Sequence, residues 1–318
     1  MTRPSIGSAG CGGRPTHTEP SWNDDDSAAL VAMMRLSPKR VEWSQLTKKV
    51  IECGSARALW EQEHPSDLFE TGDDAKLLAE SRTDVRAWKQ GPFDFHTFMD
   101  DTYPEQLRSV RQLPPVVFTH GELLRRDVGI CVVGSRDASD RGLRFARTVA
   151  RYLVGSRITV VAGLAKGIDS AAHRSALEAG GRTVAVLGNG LGHIYPRENA
   201  ELQSQIAERG MLLTHFLPEY RPSRISFPAR NITMSAYGSA TLIVEAGEKS
   251  GTRIQAREAV AHGRPVILNS VVLKTTTWGR ALQDQPGVYV AHSPEEAVEH
   301  ATAIINEQRT LSAYLGLQ

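Results

Sequence analysis

Arg136 and Lys166 are the first residues on which a chemistry can be built. Arg136 closes a Gly134-Ser135-Arg136 turn that follows the apolar run Ile130, Val132 and Val133. Lys166 lies in Gly163-Leu164-Ala165-Lys166-Gly167-Ile168-Asp169, which follows the run Ile158, Val160 and Val161. Each pattern reads as strand, tight turn, helix. Two such turns at the carboxyl ends of parallel strands set Arg136 beside Lys166, on the edge where open α/β sheets bind ligands. Gly134 and Gly163 permit a sharp strand exit, and Ser135 offers a hydroxyl donor. Gly167 opens a helix whose first N–H groups lack partners. Bare N–H groups beside an arginine and a lysine suit phosphate.

Other turns extend that edge. Gly188-Asn189-Gly190-Leu191-Gly192-His193 tempts a dinucleotide fingerprint, but its third glycine position falls on His193, so the motif fails. Phe227-Pro228-Ala229-Arg230-Asn231 reads as a loop before a short helix, with Phe227 as a stacking platform or a core plug and Arg230 and Asn231 as donors. Ser250-Gly251-Thr252 is a small polar helix start, without the Gly-Lys-Ser/Thr triplet of a Walker A loop. No metalloprotease helix, nucleophile elbow or paired-cysteine motif occurs. Asp169 reads as a cap, His173 as a structural histidine, and Glu245 as a lone carboxylate too weak to argue a base. The residues predict no catalytic set, no metal site and no cofactor.

Those turns need a sheet to hold them. From Gly129 onward, strand candidates alternate with helix candidates. The strands are Ile130–Val133, Ile158–Ala162, Thr183–Leu187, Met211–Thr214, Thr241–Val244, Pro265–Leu268 and Gly287–Val290. The helices are Arg141–Val154, Gly167–Glu178, Arg197–Glu208, Asn231–Tyr237, Gly251–His262, Thr276–Leu282 and Pro294–Ile305. Apolar strands separated by helices imply a mainly parallel sheet covered on both faces, an extended Rossmann-like α/β fold. Before it, residues 24–92 read as a small helical module and 93–128 as a lead-in with a strand at Val116-Val117-Phe118. Residues 1–23, rich in Gly, Ser, Pro and Thr, read as disordered. The sheet domain spans 129–308, and 309–318 is a tail.

Composition narrows the class. The 318 residues are 41% apolar and 23% charged, ordinary for a globular chain. Net charge is only +1, so attraction for a polyanion must be local. Residues 134–174 carry eight Arg or Lys against three Asp, a local +5. Part of it is an arginine stripe at 144, 147 and 151, whose plain reading is a solvated helix face. Cys11, Cys53 and Cys131 are few and scattered, which fits a reducing cytoplasm. No apolar run is long enough to span a membrane, and no signal peptide is read.

Taken in order, the motifs resemble the DNA-processing protein A (DprA/Smf) family. The similarity runs through Gly134-Ser-Arg136, Gly163-Leu-Ala-Lys-Gly-Ile-Asp169, Ala171-Ala-His173, Leu177-Glu-Ala-Gly-Gly181 and Val184-Ala-Val-Leu-Gly-Asn-Gly-Leu191. It continues through Ile194-Tyr-Pro196 with Glu198-Asn199, Phe227-Pro-Ala-Arg-Asn231, Val244-Glu-Ala246 and Ser250-Gly-Thr252. Upstream, Tyr103-Pro104, Leu107 and Leu113-Pro-Pro-Val-Val-Phe118 match the family's lead-in. The resemblance implies a dimeric Rossmann-fold protein of natural transformation and recombination. Such a protein binds single-stranded DNA and hands it to the RecA recombinase, without catalysis. It implies that Arg136 and Lys166 contact DNA.

The candidate DNA edge is therefore Gly134, Ser135, Arg136, Gly163, Lys166, Gly167 and Gly188, extended by Arg230, Asn231, Ser250, Gly251 and Thr252. The chain departs from the family at Gly188–Gly192 and after Val266, and no winged-helix module is read at its end. Two other readings use the same pocket: a nucleotide-binding sensor, and an enzyme similar to the nucleotide phosphoribohydrolases. The latter carry Pro-Gly-Gly-x-Gly-Thr where this chain has Glu248-Lys-Ser-Gly-Thr252.

Overall fold

The structure, a computed structural model, describes residues 22–36, 40–65 and 72–316. Nearly all of the segment read as disordered lies outside the described residues. Among the described residues four helices come first: α1 (Asp24–Leu36), α2 (Arg40–Cys53), α3 (Ala56–Glu63) and α4 (Asp73–Lys89). Asp24, Asp25 and Asp26 occupy the first turn of α1, where carboxylates complement the helix dipole. Residues 26–34 of α1 are all buried, so this helix is the axis of the group.

The segment after it contributes β1 (Asp94–Thr97), α5 (Glu105–Arg108) and β2 (Val116–Gly121). Then come β3 (Gly129–Gly134), α6 (Asp140–Gly155), β4 (Thr159–Ala162), α7 (Ile168–Glu178) and β5 (Thr183–Val186). A single 3-10 turn at Arg197–Asn199 leads into α8 (Ala200–Arg209), followed by β6 (Met211–Thr214), α9 (Ser226–Tyr237) and β7 (Ala240–Glu245). The chain ends with α10 (Thr252–Ala261), β8 (Val266–Asn269), α11 (Ser270–Thr275), α12 (Thr277–Leu282), β9 (Val288–Ala291) and α13 (Pro294–Tyr314).

The strands form one sheet in the order β1-β2-β6-β5-β4-β3-β7-β8-β9. Every pairing from β6 to β9 is parallel, and only β1–β2 and β2–β6 are antiparallel. The α/β class with a mainly parallel sheet and preceding helices is as expected. Alternate residues divide the core between the two faces. Ile130 and Val132 of β3 join α6, α7 and α13 on one side. Cys131 and Val133 join the other side with α8, α9, α10 and the N-terminal helices. There Trp88 of α4 packs at 5.1 Å on Phe118 of β2, and Trp22 at 6.3 Å on Phe98. The N-terminal helices thus share one core with the sheet. Among the described residues, no helix is long and apolar enough to cross a membrane.

Five local findings differ from the sequence reading. α5 is a short helix in the lead-in, where no helix was expected. β1 is a strand in a stretch where none was expected. α9 begins at Ser226, so Phe227–Asn231 forms its first two turns rather than a preceding loop. Pro228 fits there because the first turn's N–H groups have no carbonyl to meet. α11 occupies a segment for which no helix was read, and α13 runs to Tyr314, past the expected end of the last helix.

The amino ends of the central strands are tied by one buried carboxylate. Asp127 accepts from Thr159 Oγ1 at 2.5 Å, Arg182 Nε at 2.9 Å and the Tyr237 hydroxyl at 3.0 Å. Burial pushes the Tyr237 phenol well above its ordinary pKa, so it stays a donor. Asp127→Ala leaves the buried Tyr237 phenol and the half-buried Arg182 Nε without their acceptor. We expect a loss of about 3–5 kcal/mol, the usual cost of breaking a buried pair, read as a lower urea midpoint. A loss below about 1 kcal/mol, the range of exposed pairs, would show that the network does not hold the strands.

Candidate functional site

The sheet order changes direction at β3. The chain steps from β3 through β4 and β5 to β6 on one side, then resumes with β7, β8 and β9 on the other. The gap beyond the carboxyl ends of β3 and β7 is therefore the topological switch point, where flanking loops separate and leave a crevice. A cavity of about 510 Å³ lies there. Its walls are the turn after β3, the start of α9, and the turn from β7 into α10.

Eight of the residues anticipated from sequence line this cavity: Gly134, Ser135 and Arg136, Arg230 and Asn231, and Ser250, Gly251 and Thr252. A smaller adjoining cavity of about 60 Å³ is lined by Gly163, Lys166 and Gly188, again with Arg136 and Arg230. Arg136, Ala165, Phe227 and Arg230 belong to both walls. Gly167 lines neither cavity. Its φ of 77° is left-handed, and a Cβ there would lie 2.3 Å from the Ser135 carbonyl oxygen. Gly167 thus lets the two turns meet: the Ile168 N–H donates to Ser135 O at 3.2 Å. That bond sets the Arg136 turn against the Lys166 turn.

Arg136 lies over the Phe227 ring, its guanidinium carbon 5.1 Å from the ring centre. Flat guanidinium on a flat ring keeps the cation in place while its N–H groups still face the cavity. Lys166 is exposed and pairs with Glu198, and that hydrogen bond raises the lysine above its ordinary pKa. It remains a cation with a replaceable partner. Ser250 Oγ accepts from the Thr252 N–H at 3.2 Å and the Thr252 hydroxyl at 2.8 Å, which shapes the start of α10. Asn231 Nδ2 donates to Gly251 O at 3.3 Å and ties α9 to that start.

Arg230 differs from the other cations. It is only 5% exposed, and its Nη1 donates to Val186 O at 2.9 Å. Its Nε has no partner among the described residues. The guanidinium fills the space beneath Gly163, where a Cβ would lie 1.4 Å from Nη1. Asp169, also buried, accepts from the Gly163 N–H at 3.0 Å and the Ala165 N–H at 3.4 Å. Burial raises the Asp169 carboxyl, while the charge of Arg230 and these two N–H groups pull it back. Burial lowers Arg230 from its ordinary value, but a guanidinium stays protonated in proteins. Arg230 is thus the floor of the site and not an exposed arm.

The other sequence candidates settle into structure. His173 is fully buried, its Nδ1 is 2.7 Å from Thr183 Oγ1, and burial drives it down to about 3, so it is neutral. Glu245 accepts from the Ser139 N–H at 3.0 Å and hydroxyl at 2.6 Å, anchoring the cap of α6. The arginine stripe of α6 lies on exposed surface and lines neither cavity. Sequence reasoning did not single out Lys249, which lines the larger cavity beside Ser250, or Tyr195, which lines the smaller one. Lys249 had a signal, since it directly precedes a recognised helix start. Among the described residues, no group of three or more His, Cys, Asp or Glu could hold a metal ion.

Gly163→Ala sets a methyl into the Arg230 guanidinium. We expect it to cost about 1–3 kcal/mol, as over-packing does. Combining it with Arg230→Ala, which vacates that space, should give a loss smaller than the sum of the single losses. Additive losses in chemical denaturation would contradict the contact.

Comparison with known proteins places this geometry. The model of the DNA recombination-mediator protein A family matches residues 94–302. Protein Smf of Synechocystis sp. is 37% identical over 227 residues, 70% of this chain and 54% of that protein. The X-ray structure of DNA processing protein A from Streptococcus pneumoniae superposes with a TM-score of 0.67 at 26% identity, covering 87% of this chain and 97% of that one. A structure of DNA processing protein A from Helicobacter pylori, solved to describe its single-stranded DNA binding mode, shares the fold. Its TM-score is 0.59 at 22% identity, over 68% of this chain and 97% of that one. The chain spans 54–62% of the length of the first curated relatives it matches. The family match covers well over half of the chain and includes the whole switch-point crevice, and the chain belongs to the DNA recombination-mediator protein A family.

Proposed function

We propose that the switch-point crevice binds single-stranded DNA and that the protein acts as a recombination mediator, protecting the strand and delivering it to a RecA-type recombinase. The observation that carries this reading is the pair of adjoining cavities with Arg136 in their shared wall. Lys249 and the polar start of α10 lie to one side of it and Lys166 to the other. Consecutive phosphates of a flexible chain can meet these cations in turn, while Phe227 offers a ring for a base. A duplex keeps its bases stacked inside and has no use for such a ring. The proposed role is binding without chemistry on the strand. Assembly as a homodimer and delivery to the recombinase belong to the same proposal and rest on the family resemblance. The Streptococcus pneumoniae relative is named a DNA processing protein, and the Helicobacter pylori protein is described as binding single-stranded DNA.

The competing reading, a pocket for one small nucleotide, draws on the cavity volume of about 510 Å³, a size typical of small-ligand sites. It leaves Lys166 unused, because Lys166 does not line that cavity.

Fluorescence anisotropy with a labelled oligothymidylate tests the proposal. The double variant Arg136→Ala with Lys166→Ala should weaken binding at least about tenfold. It should also lower the dependence of log K on log salt by about 1.4, two phosphate contacts at ~0.7 each. Unchanged affinity would overturn the site assignment. Calorimetric binding of a nucleoside monophosphate with no response to the oligonucleotide would favour the small-nucleotide reading.

A further inference from the structure

A third cavity, of about 730 Å³, begins where the first two end. Lys166 is in the wall of both the second cavity and the third. Beyond Lys166 the wall is built from two loops. His193, Ile194, Tyr195 and Arg197 come from the stretch between β5 and α8, and Arg221 from the stretch between β6 and α9.

Charge is the first observation. Arg197 and Arg221 are both exposed, and neither has an ion-pair or hydrogen-bond partner for its side chain among the described residues. With Lys166 they set three cations against one carboxylate, Glu198, so the groove carries a net +2. Glu198 is already engaged with Lys166. The outer cations therefore face solvent without neutralisation.

The second observation is a row of flat surfaces. Tyr195 is 37% exposed and Ile194 53%, so both side chains offer surface to the groove. The Tyr195 ring lies 5.4 Å from Phe227 at an interplanar angle of 35°. Phe227 in turn lies beneath Arg136. Guanidinium, phenyl and phenol thus touch in succession, and Tyr195 lines both the second cavity and the outer groove. A basic flank beside successive aromatic faces is the arrangement that holds unpaired bases and their backbone, and every base has a face to offer it. Duplex DNA presents phosphates but no free base for Tyr195, so charge and stacking together select an unpaired strand.

We propose that this outer groove is a further single-stranded nucleic-acid subsite, continuous with the inner cavities and resting on the function proposed for them. Tyr195 receives a base. Arg197 and Arg221 hold the phosphates of nucleotides beyond those in the crevice. Lys166, at the junction, exchanges its Glu198 contact for a phosphate as the strand passes. The groove sets how long a strand must be to bind at full strength.

Oligothymidylates of about 4 and about 12 nucleotides separate the inner and outer contacts, since single modules of this kind span that range. The variant Arg197→Ala with Arg221→Ala should bind the longer oligomer about tenfold more weakly, with a salt slope lower by about 1.4. It should bind the shorter oligomer within about twofold of the unmodified chain, a fraction of one decade. Tyr195→Ala should show the same length-selective loss without the change in slope. Arg197→Lys with Arg221→Lys should keep most of the affinity, which separates lost charge from lost folding. Equal losses at both lengths, or no loss with the longer oligomer, would overturn the outer subsite. If the unmodified chain binds neither oligomer, the inner reading fails and the outer one falls with it. If it binds both and the outer variants lose neither, only the outer subsite is refuted.

Discussion

One buried guanidinium organises the sheet edge. Arg230 enters from α9, passes under Gly163 and reaches the Val186 carbonyl at the end of β5. It thereby touches the exits of two adjacent strands at once. Asp169, from the helix after β4, takes the N–H groups of Gly163 and Ala165 and adds a carboxylate near that charge. Burying a cation is costly unless dipoles and an opposite charge surround it. Here the compensation comes from the Val186 carbonyl and from Asp169, which the N–H groups of the Lys166 turn hold in place. The shape of the Lys166 turn and the burial of Arg230 therefore depend on each other.

The same arrangement explains how a nearly neutral chain can attract a polyanion. With a net charge of +1, no global field draws one in. The cations are instead gathered where the strand order reverses and loops part. Arg136 is held by Phe227, Lys166 by a displaceable Glu198, and Lys249 stands beside the start of α10. At the opposite end of the sheet, Asp127 closes the strands with Thr159, Arg182 and Tyr237. One end of the sheet is closed by the Asp127 network, and the other is left open around its cations.

Much of this was legible in the residues. Strands such as Ile130–Val133 and Thr183–Leu187 read clearly because both faces are buried and every position is apolar or small. The meeting of Arg136 and Lys166 followed from two strand-turn-helix rhythms in succession. β1 was not legible: Asp94-Phe95-His96-Thr97 is short, mostly polar and at the sheet edge. α9 was read late because Phe227-Pro228 resembles a loop, although proline is tolerated in a first turn. α11 carries β-branched Val271 and Val272 without a helical stripe, which hides it. Arg230 was identified as a donor, but its depth was not, because sequence spacing does not say which arginine on a helix turns inward. Tyr195 gained meaning only when Phe227 was found beside it.

The account's central claim is that an unpaired strand lies along the crevice, against Phe227 and the Arg136 turn. Ultraviolet cross-linking of the full chain to an oligothymidylate, with mass-spectrometric mapping of the joined peptides, addresses it most directly. The account predicts cross-links on the peptides containing Ser135–Arg136 and Tyr195 or Phe227, and their loss when unlabelled single strand is added. Cross-links confined to the arginine face of α6, with none around the crevice, would contradict it.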